Sequence, residues 1–177
     1  MRMGADALIL NFNYFTAAKA YQKFSPHVGK LIVGDMAGIT NRHYLDCSGQ
    51  IVLRRNSGIG GMRSIFQSHE IDLVNNQSTV GRIVLEENSM TATHCLVLKD
   101  AVVPEKCVLA AGSVLTKTRE VGEPGGLYVG VPARRARELS GFAWWDRDNL
   151  VTPVTDFDDG PFVADSLGRA PDQELKT

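Results

Sequence analysis

The chemistry in this 177-residue chain starts with four histidines, His27, His43, His69 and His94, because an imidazole exchanges its proton near neutral pH. His69 has the most suggestive surroundings. It lies in Ser68-His69-Glu70-Ile71-Asp72, six residues after Arg63 and just before the polar run Asn75-Asn76-Gln77-Ser78-Thr79. Such a run reads as a loop, here spanning 72–82, and a loop thrown out directly after a candidate base is what a substrate lid looks like. Cys47, Cys95 and Cys107 have no metal-ligand spacing and read as packing residues in a reducing compartment. Gly58-Ile59-Gly60-Gly61 lacks the strand-to-helix switch of a dinucleotide site.

The element that must carry these residues is clearest between Leu85 and Leu115. In units of six, the first position is Leu85, Thr91, Val97, Val103, Leu109 and Leu115, and the fifth is Ser89, Cys95, Ala101, Cys107 and Ser113. A period of six fits neither a helix nor an alternating strand. It predicts a hexapeptide parallel β-helix, in which each unit forms one side of a triangular coil and residues about 18 apart stack. The aliphatic position points inward and the small one fits the corner. Upstream the beat is Val33, Ile39, Leu45, Ile51, then, after a slip of two, Leu53, Ile59, Ile65, Ile71. In that phase Arg63 and His69 fall in fifth positions meant for small residues, and so does His43. Breaks of this kind mark candidate functional sites.

The rest of the chain is expected to serve the coil. Residues 1–30 read as a capping segment with a short helix capped by Thr16, residues 31–131 as the β-helix, and residues 132–177 as a helix from Pro132 to Gly141 followed by an acidic tail. Trp144 and Trp145 are expected to pack on the coil or on a neighbouring subunit, and the chain from about Ser166 to be loosely held. Residues 141–177 carry eight acidic and three basic side chains, leaving 16 basic against 12 acidic before them. That balance suits a phosphorylated small ligand, and no Lys/Arg run argues for nucleic acid. No signal peptide or membrane span is visible, and the expected location is cytoplasmic.

The hexads, the segment Leu109-Ala-Ala-Gly-Ser-Val-Leu-Thr-Lys117, and Tyr128-Val-Gly-Val-Pro-Ala-Arg134 together resemble the hexapeptide-repeat acyltransferases, left-handed parallel β-helix proteins. Ser68-His69-Glu70-Ile71-Asp72 is similar to a motif of their sugar and polysaccharide O-acetyltransferase branch. The likeness spans about residues 32–139. It implies transfer of acetyl from acetyl-CoA to a sugar hydroxyl, with no metal, in a homotrimer with sites between subunits. His69 is then the general base, Asp72 the holder of its tautomer, and Arg63 or a backbone N–H the oxyanion donor. Ala110, Ala111 and Gly112 would lie along the pantetheine arm, Lys117 and Arg134 would meet the phosphates, and Asn75 and Asn76 would touch the acceptor. Alternatives stay open. Asp72 could instead cap its own loop, His43 competes as the base, and the basic residues could form a solvated face. A γ-carbonic-anhydrase-like zinc protein needs three histidines around the metal, and a non-catalytic scaffold would not bind acetyl-CoA. Two departures from the family pattern are Leu85-Glu86 and the acidic tail.

Overall fold

The computed structural model describes residues 1–148. Short parallel strands build three faces of a coil. Face one stacks Arg2–Met3, Lys30–Val33, Gln50–Leu53, Arg82–Leu85 and Val102–Val103; face three stacks Tyr14–Thr16, Tyr44–Asp46, Ile65–Gln67, Leu96–Leu98 and Val114–Leu115. Face two runs Leu8–Ile9, Gly38–Asn41, Gly58–Met62, Met90–Thr91, Val108–Leu109 and Gly126–Gly130, and ends in Ala133–Glu138. The inward residues form the expected ladders. Val33, Leu53, Leu85 and Val103 stack on face one, Ile39, Ile59, Thr91 and Leu109 on face two, and Leu45, Phe66, Val97 and Leu115 on face three, all buried. Ser89, Cys95, Ala101, Cys107 and Ser113 are buried at the corners. The residue before each turns the corner with positive φ: Asn88, His94, Asp100, Lys106 and Gly112. The four that are not glycine accept a left-handed conformation that L-residues disfavour, and the stacked coils hold them there.

Four expectations are corrected. Residues 1–30 contribute a full first coil, with Tyr14–Thr16 paired to Tyr44–Asp46. Thr16 is therefore in a strand, and the helix Lys19–Gln22 begins after Ala18 with no side-chain cap. An irregularity in Gly58–Met62 adds one residue to that coil, since Ile39 pairs with Ile59 but Asn41 with Met62. Phe66 rather than Ile65 consequently points inward, Ser64 takes the small corner position, and Arg63 becomes the positive-φ residue before it. Residues 72–82 are not an open loop: His69–Asp72 and Gln77–Val80 form an antiparallel hairpin, with His69 opposite Val80. Finally, the expected helix from Pro132 is the strand Ala133–Glu138, folded back on Gly126–Gly130 after a cis Val131–Pro132 bond. A 3-10 turn, Ala143–Asp146, follows.

Trp145 is buried there, its indole N–H donating to the Leu139 carbonyl at 2.7 Å, while Trp144 lies over the outer side of face two near Leu8 and Leu10. The acidic tail beyond residue 148 lies outside the described residues. Among those described, no helix is long and apolar enough to cross a membrane.

Candidate active site

His69 sits where the chain leaves face three to start the hairpin, and the stacking of coils chooses its partner. Gln67 pairs with Asp46 of the preceding coil, so the carboxylate reaches the start of the hairpin. Asp46 Oδ2 lies 2.6 Å from His69 Nδ1. The Asp46 side chain is 6% exposed and that of His69 39%, so a buried acid anchors an accessible base. The acid is itself well held. The Ser48 hydroxyl and amide donate to Oδ1 at 2.5 and 3.1 Å, and the Ser68 amide donates to Oδ2 at 3.1 Å. Burial pushes the Asp46 carboxyl up, but bonds from Ser48 and His69 outweigh it and hold the group below its ordinary value. A carboxylate accepting from Nδ1–H leaves Nε2 as the basic nitrogen, on the side away from the anchor.

The hairpin is tied down on its other side. Lys99 Nζ lies 2.9 Å from Glu70 Oε1 and 3.1 Å from Asp100 Oδ2, and Lys117 Nζ lies 3.7 Å from the same Asp100 oxygen. Asp100 Oδ1 accepts from the Arg82 amide at 3.2 Å. Burial lowers the Lys99 pKa, but its bonds to the two acids prevail and the net shift is upward. These ion pairs follow the edge between faces three and one. Lys117 lies two coil steps from the start of the hairpin, about 10 Å at the usual strand spacing.

The other site candidates fall in three places. Asp72 accepts from the Val74 and Asn75 amides and from Asn75 Nδ2, at 3.0, 3.1 and 2.7 Å. It therefore closes the hairpin turn, and Asp46 holds the His69 ring in its stead. Asn75 is taken up in that turn and Asn76 has positive φ beside it. Arg63 is exposed at the corner between faces two and three, at the far end of Ile65–Gln67 from His69, up to about 20 Å away along an extended chain. Ala110, Ala111 and Gly112 form that same corner two coils on, where a Cβ on Gly112 would meet open space. Lys117 and Arg134 come together in a cleft of about 280 Å³ with Arg119, Arg135 and the acidic Glu120; the Arg135 guanidinium donates to the carbonyls of residues 123–125, and the excess of cations over acid suits phosphate groups.

His43 is fully buried. The Ser64 amide donates to its Nδ1 at 3.1 Å, so its Nε2 carries the proton, 2.9 Å from Thr40 Oγ1. Burial lowers its pKa to about 4, partly offset by the Gly61 backbone. Both ring nitrogens are engaged, so His43 is a poor base and a poor metal ligand. Among the described residues no group of three or more His, Cys, Asp or Glu side chains could hold a metal ion.

Sequence reasoning missed Asp46 and a groove beside His69. The groove, about 680 Å³, runs between the helix Lys19–Gln22 and the hairpin and includes Tyr21, Phe24, Val28, Gln77, Ser78 and Val80. The Tyr21 ring lies 6.0 Å from that of His69. The signal for Asp46 was an acid beside the inward Leu45, one coil before the histidine.

No protein-family profile matches the chain, and no curated sequence is similar to it. Solved structures are. A hexapeptide-repeat-containing acetyltransferase from Vibrio cholerae superposes with a TM-score of 0.65 at 18% identity, covering 78% of this chain and 74% of that one. The same enzyme complexed with acetyl coenzyme A gives 0.65 at 18%, with 78% and 71% covered. A maltose O-acetyltransferase from Clostridium difficile gives 0.63 at 13% identity, with 78% and 69% covered. A point mutant of AntD, an N-acyltransferase from Bacillus cereus, in complex with dTDP-4-amino-4,6-dideoxyglucose and coenzyme A, gives 0.53 at 16%, with 77% and 83% covered. With its three parallel faces, corner residues and inward ladders, the chain has the fold of the hexapeptide-repeat acetyltransferases, the left-handed parallel β-helix.

Proposed function

We propose that this chain is a coenzyme A-dependent O-acetyltransferase acting on a sugar hydroxyl, with His69 as general base and Asp46 as the residue that positions it. The observation that carries the reading is the 2.6 Å Asp46–His69 pair, an oriented and accessible imidazole on a fold shared with acetyltransferases. Asp46 keeps the proton on Nδ1. His69 Nε2 then takes the hydroxyl proton as the acceptor oxygen attacks the thioester carbon, and returns it to the departing sulfur as the C–S bond breaks. The cleft of Lys117 and Arg134 would take the phosphates of the donor, and Ala110, Ala111 and Gly112 would flank its arm.

On this reading the chain works as a homotrimer. Face three carries an outward row of Tyr14, Tyr44, Ile65, Leu96 and Val114 in register, and Tyr14, Tyr44 and Ile65 are exposed in the single chain. Contiguous apolar surface of this kind supports an interface between copies. Such an interface would bring the Arg63 and Ala110–Gly112 corner of one copy toward the His69 edge of the next, which one chain alone does not do. The three free, buried cysteines suit a cytoplasmic setting. The test is thiol release from acetyl-CoA over a panel of sugars, with His69→Ala as control. The reading requires turnover in the parent and its loss, by a factor of about 100 or more, in the variant. Equal rates refute it.

A further inference from the structure

The groove beside His69 identifies the class of acceptor. It opens between the helix Lys19–Gln22 and the strand Gln77–Val80, and Val80 is the residue paired with His69 across the hairpin. His69 does not itself line the groove; Val80 and Tyr21, whose ring centroid lies 6.0 Å from that of the imidazole, bring the groove close to it. Among the described residues, none that lines the groove is charged. It contains two aromatic rings, Tyr21, close to His69, and Phe24, which is 86% exposed. Uncharged hydrogen-bonding groups, the hydroxyls of Tyr21, Ser25 and Ser78 and the amide of Gln77, complete the lining. At about 680 Å³ it falls within the usual size range of small-molecule sites.

An apolar wall with aromatic faces and neutral polar groups complements a ring that is apolar on one face and hydroxylated at its edge. It offers no cation to a phosphate, and the chain's cationic cleft lies further along the edge, around Lys117 and Arg134. Placing a diphosphate against uncharged walls would leave its charge without a partner. Resting on the acyltransferase reading, we infer that the acceptor is an uncharged pyranoside stacked on Tyr21 and Phe24. Nucleotide-linked and phosphorylated sugars are excluded from this groove, and the two aromatics set the acceptor KM.

The experiment compares neutral methyl pyranosides, the corresponding sugar phosphates and nucleotide-linked sugars as acceptors. The full chain is used with Tyr21→Ala, Phe24→Ala, Tyr21→Phe and Ala20→Asp variants, each checked for an unchanged melting temperature. Binding of the methyl pyranosides without donor is read in parallel by saturation-transfer NMR. The inference requires turnover of neutral pyranosides, a rise of about tenfold or more in acceptor KM for Tyr21→Ala and Phe24→Ala with the acetyl-CoA KM unchanged, and recovery in Tyr21→Phe. Ala20→Asp should weaken neutral acceptors without creating use of charged ones. Preference for phosphorylated or nucleotide-linked sugars, or an unchanged acceptor KM in both alanine variants, overturns it. Pyranoside binding that Tyr21→Ala abolishes, with no acetyl-CoA turnover by any acceptor, would instead sink the acyltransferase reading and leave the groove assignment standing.

Discussion

The buried His43 gives the chain an acid sensitivity that can be worked out in advance. Its Nδ1 accepts from the Ser64 amide, so a second proton would have to enter where an N–H already points. The resulting cation would also be sealed from water, and burial lowers the pKa from 6.5 to about 4. The unfolded chain therefore binds more protons than the folded one between those values, and stability rises with pH across that window. Above pH 6.5 the contribution is complete; on acidification it is lost progressively and levels off below about pH 4. At pH 5 the linkage relation gives a loss of about 2 kcal/mol relative to pH 7.5, and close to 3 kcal/mol at pH 4. Asp46, Asp72 and Asp100 have carboxyl pKa values lowered from 3.8. Their stabilisation is lost at lower pH still, which separates the two effects. Urea unfolding of the parent and of His43→Gln at pH 7.5, 6.5 and 5 measures the difference. The variant is less stable at pH 7.5, but its decline down to pH 5 should be smaller by about 2 kcal/mol. Parallel pH dependences in the two proteins would show that His43 stays neutral for another reason, or titrates in the folded state without penalty.

Three further outcomes are expected. Asp46→Asn should lower kcat by a factor between about 100 and 10,000 with the acetyl-CoA KM unchanged, as when the acid partner of a catalytic histidine becomes an amide; steady-state kinetics check it. Thr91→Val should raise stability by about 1 kcal/mol, because the Thr91 hydroxyl is buried in the inward ladder with no hydrogen-bond partner among the described residues; thermal and urea unfolding read the change. Lys99→Met removes the ties to Glu70 and Asp100 and should loosen residues 69–80, seen as faster amide exchange there than in the core strands and as a fall in kcat.

What the sequence reveals about this fold depends on how regular each coil is. Leu85 to Leu115 is legible because those coils advance by 18 residues, as in Leu85 to Val103 and Val97 to Leu115. The first coil hides because the helix Lys19–Gln22 separates Arg2–Met3 from Lys30–Val33. The Ile65 phase misleads because face three is apolar on its outer side too, so a hydrophobic beat alone does not distinguish inside from outside. Ala133–Glu138 is rich in good helix formers, yet the free edge of Gly126–Gly130 claims it through strand pairing. His69 is visible through its local motif. Asp46, 23 residues earlier, becomes its neighbour only once the coils are stacked.

The hairpin joins the coil at a closed seam. The Gly81 amide donates to the Ser68 carbonyl at 2.8 Å, and directly beyond it Arg82 to Leu85 resume full register with Gln50 to Leu53. With His69 and Glu70 kept, the residues from Ile71 to Val80 can be lengthened, shortened or exchanged while the rungs above and below keep their alignment. Evolution, or an engineer, can thus redraw half of the acceptor wall in one continuous cassette, provided position 81 stays glycine, where a Cβ would run into the Asp100 carboxylate.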